Sequence, residues 1–362
     1  MLVSLEAEQF RNLESLSWCP GPGRHLLLGG NGAGKSSLLE AVYAVATTRS
    51  FRTPRLAECV RHGQASFYLV AEVEAAARIT LEVSWGASGR ERSVNGSRGP
   101  LAEHLGALPV VAWTTDDVQV IAGSPARRRR FLDRGVVSLR PGALGALRRY
   151  REALGEKRGL LAVAPRRGDG ASGDSSLQAW NRVLAEAAVD VAHLRSSYAR
   201  ALEGALAGVL GEISLPSPAV ALSYRPSPAA VLEGVDETVR HLERTAAAER
   251  RRGMPLAGPH RDDLEIRWGR HPASEVTSAG ERKLLSLALS AAHGRVIEAA
   301  GREPIYLLDD LDAELAADSL EAVWRAFATA HQVVASSNRP AVWEPLETAA
   351  RWNLGSGRLA AA

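Results

Sequence analysis

Cysteine is almost missing from this chain: Cys19 and Cys59 are the only two in 362 residues. Two are too few for a disulfide framework or a Cys-rich zinc module, and they fit a reducing compartment. Lysine is nearly as scarce, with Lys35, Lys157 and Lys283 standing against 41 arginines. A GC-rich coding sequence produces such a skew, but it makes each remaining lysine worth following, because a compact ammonium and a planar guanidinium are not interchangeable. Long apolar runs are absent too: no stretch approaches the roughly eighteen residues of a membrane span. The start, Met1-Leu2-Val3-Ser4-Leu5-Glu6, lacks a basic segment followed by an apolar one. No membrane partner or export is expected, and the expected location is the cytoplasm. The 46% hydrophobic and 23% charged residues are those of an ordinary globular chain, which excludes disorder and a fibrous architecture.

Several stretches carry local structure. Leu26-Leu27-Leu28 leads into Gly29-Gly30-Asn31-Gly32-Ala33-Gly34, after which Lys35-Ser36-Ser37-Leu38-Leu39-Glu40 opens a helical pattern, giving a strand, a glycine loop and a helix. From Phe67 to Trp85 the period becomes two, with Phe67, Leu69, Ala71 and Val73 answered by Ile79, Leu81, Val83 and Trp85. An antiparallel hairpin with one buried face is predicted. After Ser124-Pro125 the chain turns helical and basic as far as Arg166-Arg167, and a breaker run, Gly168 to Asp174, follows. A second helix then places Leu177, Trp180, Leu184, Ala187, Val191, Leu194, Tyr198 and Ala201 at alternating spacings of three and four, the seam of a coiled-coil-like hairpin. Its partner seam is Leu147, Tyr150, Leu154 and Leu161, interrupted by Lys157. A two-helix layer on an ordinary core is the alternative. Mixed α/β character returns at Met254, with strands expected at Ile305–Leu308 and at residues 332–335. The predicted organisation is therefore residues 1–125 with 254–362 as one α/β head, and residues 126–253 as an inserted helical arm.

The chemistry is concentrated in three motifs. Gly29-x-x-x-x-Gly34-Lys35-Ser36 is a complete phosphate-binding loop between a strand and a helix. The backbone N–H groups of Gly29, Gly30, Asn31, Gly32, Ala33 and Gly34 can converge on phosphate oxygens, Lys35 can reach the β- and γ-phosphates, and Ser36, with Ser37 beside it, can ligate Mg²⁺. Asp309-Asp310 ends the apolar strand Ile305–Leu308; there Asp309 can hold Mg²⁺ and Asp310 can orient and deprotonate a water. The Asp310-x-Asp312 spacing lacks the acidic partner a two-metal nuclease needs. Ser278-Ala279-Gly280-Glu281 opens a strongly apolar helix, 242 residues after Ser36 and with Gly280 29 residues before Asp309. That constellation resembles the signature helix of the ATP-binding-cassette class, and the resemblance implies that Ser278, Gly280 and Glu281 touch the γ-phosphate held by a second subunit.

Further strings narrow the likeness: Phe10-Arg11-Asn12-Leu13, Arg49-Ser50-Phe51-Arg52-Thr53, Asn95-Gly96, Gly123-Ser124-Pro125 with Arg127-Arg128-Arg129-Arg130-Phe131-Leu132-Asp133, Trp180, and Gly258-Pro259-His260-Arg261-Asp262-Asp263. With these the chain resembles the RecF family of bacterial DNA replication and repair proteins. The resemblance implies an α/β ABC/SMC-type P-loop ATPase head, a mixed sheet with an antiparallel β subdomain, carrying the inserted helical arm. It also implies ATP and Mg²⁺ as cofactors, an ATP-dependent homodimer on DNA at gaps or single-strand/double-strand junctions, slow DNA-stimulated hydrolysis, and work with RecR and RecO in loading RecA. Arg11 and Asn12 are candidates for nucleotide contacts. Asp116 and Asp117 stand where the family has a Pro-Glu-Asp element, and Ser337 or Asn338 where cassette ATPases place a γ-phosphate sensor. His260, without ligand spacing around it, is expected to stabilise a turn. Departures at Gly159, Ala279, Ala313 and Ala316 remove polar groups and predict a weaker ATP-driven dimer. A transporter ATPase would share the nucleotide motifs without needing the basic insertion, and a DNA-binding module could keep ATP for structure alone.

Charge supports the DNA reading. Residues 124 to 167 hold twelve arginines and Lys157 against three acids, a local +10, while the other 318 residues carry −7. Arg127, Arg128, Arg129 and Arg130 are the densest part and the candidate contacts to a phosphate backbone.

Overall fold

The computed structural model describes residues 1–163, 175–213, 219–355 and 357–361. Along them run the strands β1 (Leu2–Phe10), β2 (Leu13–Trp18), β3 (Gly23–Leu28), β4 (Phe67–Glu74), β5 (Arg78–Gly86), β6 (Gly89–Val94), β7 (Val110–Trp113), β8 (Val220–Arg225), β9 (Asp263–Trp268), β10 (His271–Pro272), β11 (Ile305–Leu308), β12 (Gln332–Ser337), β13 (Ala350–Gly355) and β14 (Arg358–Ala361). The helices are α1 (Lys35–Thr47), α2 (Leu101–Ala107), α3 (Gln119–Ala122), α4 (Pro125–Leu139), α5 (Leu144–Val163), α6 (Ser175–Glu212), α7 (Val235–Arg252), α8 (Ala273–Val276), α9 (Ala279–Glu298) and α10 (Ala317–Ala326). The breaker run from Gly168 to Asp174 and the arginines at 166 and 167 lie outside the described residues.

Two compact units emerge: Met1–Val118, Ala205–Pro216 and Ser278–Ala362 form the first, and Gln119–Gly204 with Ser217–Thr277 the second. This division differs from an insertion spanning 126–253. Residues 254–277 cluster with the second unit because β9 pairs antiparallel with β8, Tyr224 opposite Leu264, and no local composition announces so distant a pairing.

In the first unit the predicted hairpin forms in register, with β4 and β5 antiparallel and Phe67 opposite Trp85. Leu69, Ala71, Val73, Leu81 and Val83 are wholly buried, the one-faced burial that alternation dictates. The hairpin belongs to a five-stranded sheet ordered β2-β1-β4-β5-β6. A second sheet is ordered β14-β13-β3-β12-β11-β7, with β3, β7, β11, β12 and β13 parallel. Every residue of β11 and β12 is buried, as expected of parallel strands covered on both faces. Helix α1 touches strands of both sheets, so Leu38, Leu39, Ala41, Val42, Ala44 and Val45 are all wholly buried and join a core common to the two. An enclosed helix cannot tilt freely, and its first turn is thereby fixed at the end of β3.

In the second unit α5 and α6 share one apolar core with Val231, Leu242 of α7 and Ala257, which makes them part of a packed layer. The seam of α6 also departs from the expected one. Leu184, Val191 and Tyr198 are buried, but the line continues through Arg195 and Leu202 in place of Leu194 and Ala201. A guanidinium can occupy such a position only with full compensation. Arg195 donates to Asp133 Oδ1 at 2.8 and 2.9 Å, to Asp262 Oδ2 at 2.9 Å and to Pro259 O. The buried Asp262 also accepts from the Tyr224 hydroxyl and, at 2.8 Å, from Ser227 N. This knot gives the Gly258–Asp263 motif a physical role. Beside it His260 stacks on Tyr150 with Nδ1 2.7 Å from the phenol oxygen, and burial pushes its pKa down to about 4, leaving it neutral at pH 7. Lys157 occupies the α5 seam itself, wholly buried and 2.8 Å from the equally buried Glu249 Oε2. Helix α4 comes so near α6 that a Cβ on Gly135 would lie 2.1 Å from Tyr198.

Arg195→Leu is expected to leave Asp262 buried without its cation and to lower stability by about 3–5 kcal/mol. Urea denaturation followed by circular dichroism measures it, and a loss below about 1 kcal/mol, the ceiling for an exposed ion pair, would contradict the assignment.

Candidate functional site

Between β3 and α1 the loop Gly29–Gly34 folds as a phosphate cradle. Its conformation needs glycine at two points: Gly34 has φ 113°, and a Cβ on Gly29 would lie 2.4 Å from the Leu354 carbonyl oxygen. The first turn of α1 carries no acidic residue and no side-chain cap, so its N–H groups are left for an anion. Lys35 Nζ donates to Gly29 O at 2.8 Å and to Gly30 O at 3.1 Å, bending over the loop it serves. Asn12 Nδ2 donates to Gly32 O at 2.9 Å and Asn338 Nδ2 to Asn31 Oδ1 at 3.0 Å. The cavity of about 610 Å³ over the loop is lined by Arg11, Asn12, Lys35, Ser36, Arg52 and Asp310, among others.

The two carboxylates arrive from the end of β11. Ser36 Oγ donates to Asp309 Oδ1 at 2.9 Å, and Ser336 Oγ, from β12, donates to the same oxygen at 2.8 Å. Ser336 Oγ also accepts from Asp310 N at 2.8 Å, and Asp309 N donates to Trp113 O at 3.0 Å. Asp310 has φ 47°, a left-handed conformation that costs about 1–2 kcal/mol outside glycine and turns its side chain toward the cavity. Burial is the main cause raising the Asp309 pKa, opposed by the two serine hydroxyls and by Arg52, with Asp310 adding to the rise. A hydroxyl and a carboxylate oxygen converging at one point are the hard donors Mg²⁺ prefers. Among the described residues no cluster of three His, Cys, Asp or Glu could hold a metal by itself, so a cation here would need the nucleotide and water to complete its shell.

A hub invisible to motif reading lies behind the loop. The wholly buried Glu40 accepts from Arg11 Nε at 2.9 Å and Arg11 NH2 at 2.7 Å; the Ser50 hydroxyl also donates to it, and Arg52 lies at 3.7 Å. Ser50 Oγ accepts from Arg52 N and Thr53 N, so the Arg49–Thr53 string is a turn wound about Glu40. Cys59 contacts Glu40 as well, and burial pushes its thiol up to about 12, which keeps it unreactive. The legible signal was a glutamate within the apolar run Leu38 to Val42.

The remaining candidates separate. Ser278 and Glu281 form a reciprocal capping box at the start of α9, and neither they nor Gly280 line the cavity. Asp117 Oδ2 accepts from Thr114 N and Oγ1, Asp116 is exposed, and neither lines the cavity. Ser337 is a correction: it is wholly buried and donates to Asp312 at 2.9 Å, leaving Asn338 as the member of the pair that reaches the loop. In the second unit Arg128 makes a two-pronged pair with Asp263 at 2.7 and 2.8 Å, and Arg129 donates to Asp262 O at 2.8 Å. Both are engaged internally, Arg127 is half-buried, and Arg130 is exposed.

Because burial disfavours the ionised Asp309, its contribution to folding is present at pH below the ordinary carboxylate value and is lost as pH rises through the raised one. Asp309→Asn is therefore expected to leave the nucleotide-free protein at least as thermostable as the parent at pH 7, with the difference vanishing on acidification through that window. A large loss of thermal midpoint at pH 7 would contradict this.

The family model described as the RecF/RecN/SMC N-terminal domain matches residues 1–353. The DNA replication and repair protein RecF of Chromohalobacter salexigens is 36% identical over 312 residues, covering 84% of this chain and 82% of that protein. Its counterpart from Frankia alni is 34% identical over 354 residues, 93% of each. Among solved structures, the recombination mediator protein RecF with ATP, of the RecFOR pathway, superposes with a TM-score of 0.88 at 22% identity, covering 100% of this chain and 97% of that one. An Smc head bound to the C-winged helix domain of ScpA gives 0.59 at 16% identity, covering 100% and 96%. The fold is thus that of the ABC/SMC-type heads, with a helical insertion. With a family model spanning nearly the whole sequence and relatives a third identical over most of it, the chain belongs to the RecF family.

Proposed function

We propose that this protein is an ATP-dependent DNA-binding ATPase of recombinational repair and replication-fork maintenance. The observation that carries the reading is the meeting of Ser36 and Asp309 at 2.9 Å beneath a glycine cradle, with Asp310 facing the same cavity. ATP supplies the phosphates for the Gly29–Gly34 N–H groups, and Lys35 exchanges its two loop carbonyls for β- and γ-phosphate oxygens. When bound, Mg²⁺ would neutralise charge on the transferred phosphoryl group, and Ser36 and Asp309 are the side chains that would hold it. Asp310 accepts a proton from the water that attacks the γ-phosphate, giving ADP and phosphate. Arg11 and Asn12 lie along the nucleotide, Arg11 held in place by Glu40. Asn338 is the favoured γ-phosphate sensor, since it already touches Asn31.

Ser278, Gly280 and Glu281 complete the site in trans. They start a capped helix and line no part of their own chain's cavity, so a second copy is needed to bring them to a γ-phosphate, and the ATP-bound form is a homodimer. The relatives carry the name DNA replication and repair protein RecF, and a solved structure of the same fold is a recombination mediator protein of the RecFOR pathway. From them comes the expectation of gapped or junction DNA as the polynucleotide, RecR and RecO as partners, and RecA loading as the outcome. Electrostatics favours exposed arginines as the phosphate contacts: Arg130, Arg140 and Arg158, rather than the internally paired Arg128 and Arg129.

Steady-state hydrolysis with and without gapped DNA tests the reading. The parent is expected to turn over slowly and faster with DNA, Lys35→Met to lose nucleotide binding, and Asp310→Asn to bind ATP and not hydrolyse it. Equal parental rates with and without DNA would contradict it. Arg130→Ala is expected to weaken binding to all DNA sequences and to reduce the salt slope by about one, whereas Arg128→Ala should show its effect in the denaturation midpoint.

A further inference from the structure

Lys283 takes no part in the chemistry above, yet it is one of three lysines in the chain and it is buried. It sits in the second turn of α9. Its Nζ donates to the carbonyl of Ala313, in the loop that follows Asp309 and Asp310, and lies 5.2 Å from the centroid of the Trp113 ring, within range of a cation–π contact. Trp113 is wholly buried. Its indole N–H donates to Ser286 Oγ at 2.9 Å on α9, and its carbonyl accepts from Asp309 N. Ser286 Oγ donates in turn to the Lys283 carbonyl at 2.8 Å.

The same loop is pinned from β12. Ser337 Oγ donates to Asp312 Oδ2 at 2.9 Å, and Arg339 NH1, just beyond the strand, donates to Asp312 O at 3.0 Å. Asp310 and Glu314 both have positive φ, 47° and 61°, so this segment is held in a shape it would not adopt alone. Burial lowers the Lys283 pKa, while the charges of Glu314, Asp312 and Asp310 oppose that shift.

We propose that Lys283 is a positioning residue that ties the signature helix to the carboxylate loop of its own subunit. Through the Ala313 carbonyl and the Trp113 indole, a displacement of α9 at its Ser278 end is passed to Asp309 and Asp310. A γ-phosphate bound by a second copy would then set the geometry of the carboxylates in this one, coupling the two sites of a dimer. The proposal rests on the in-trans reading of Ser278 given above. It also accounts for a loop that keeps its shape despite alanine at 313 and 316, because the contact is made to a backbone oxygen.

The test uses the full chain with gapped DNA and three readouts: affinity for a non-hydrolysable ATP analogue, analogue-driven dimerisation by light scattering, and kcat. Lys283→Met keeps the stem and removes charge and donors; it is expected to bind the analogue within about twofold of the parent, to dimerise, and to lose about tenfold or more in kcat. Lys283→Arg, which restores charge and donors, is expected to recover kcat to within about threefold. A parent-like kcat in Lys283→Met, or a loss of analogue binding in step with kcat, overturns the proposal. Should that variant not fold, Trp113→Phe carries the test: it removes the bond to Ser286 and trims the buried ring while keeping an aromatic face beside Lys283, and it is expected to lower kcat by about two- to fivefold at unchanged analogue affinity, so a parent-like kcat overturns the proposal. Ser278→Arg separates the two ideas. Inactive Ser278→Arg beside active Lys283→Met sinks the tether alone, and active Ser278→Arg sinks the in-trans reading itself.

Discussion

The site depends on one buried carboxylate oxygen. Asp309 Oδ1 lies between the hydroxyls of Ser36 and Ser336, and an ionised oxygen taken from water tolerates that position only while both donors hold it. The three groups come from three neighbouring parallel strands or their exits: β3 leads to Ser36, β11 to Asp309, and β12 carries Ser336. Because β12 pairs with β3 up to Ser337 opposite Leu28, and with β11 up to Ala335 opposite Leu308, the residues leaving β3 and β11 emerge at the carboxyl end of β12. Ligand sites of open α/β sheets form along that edge. The core around α1 supports it by fixing the helix whose first turn holds the phosphate loop.

Much of this site was legible in the sequence because its motifs are local. A phosphate loop is a strand end, six residues and a helix start, all continuous in the chain, and the Asp pair announces itself as the polar end of an apolar run. The hairpin from Phe67 was equally readable, since period-two burial needs only near neighbours. What could not be read were the partners brought in by sheet pairing. Ser336 and Ser337 are consecutive serines that differ in role, one holding Asp309 and the other Asp312; which one meets Asp309 is set by the phase of β12, and sequence does not fix that phase.

Charge misled for the same reason. Arginines counted as surface charge in residues 124 to 167 include Arg128, joined to Asp263 at 2.7 Å across 135 residues of chain, and Arg195 entered the α6 seam because Asp133 and Asp262 fold against it. Local net charge therefore overstates the field offered to a polyanion. Lys157 interrupts its seam on paper and fills it in the fold, because Glu249 is delivered by α7. Composition counts charges, and only packing reveals which have been cancelled.

Magnesium-dependent affinity for ATP in Ser336→Ala measures the central constraint most directly, because that serine bonds both Asp309 Oδ1 and the Asp310 backbone N–H. Calorimetric titration with an ATP analogue, with and without Mg²⁺, is expected to show metal-free binding within about twofold of the parent and a metal-dependent gain reduced by about tenfold, the roughly 1.4 kcal/mol of a lost hydrogen bond to a charged group. A parent-like metal-dependent gain would contradict the claim that the two serines hold Asp309 for its cation.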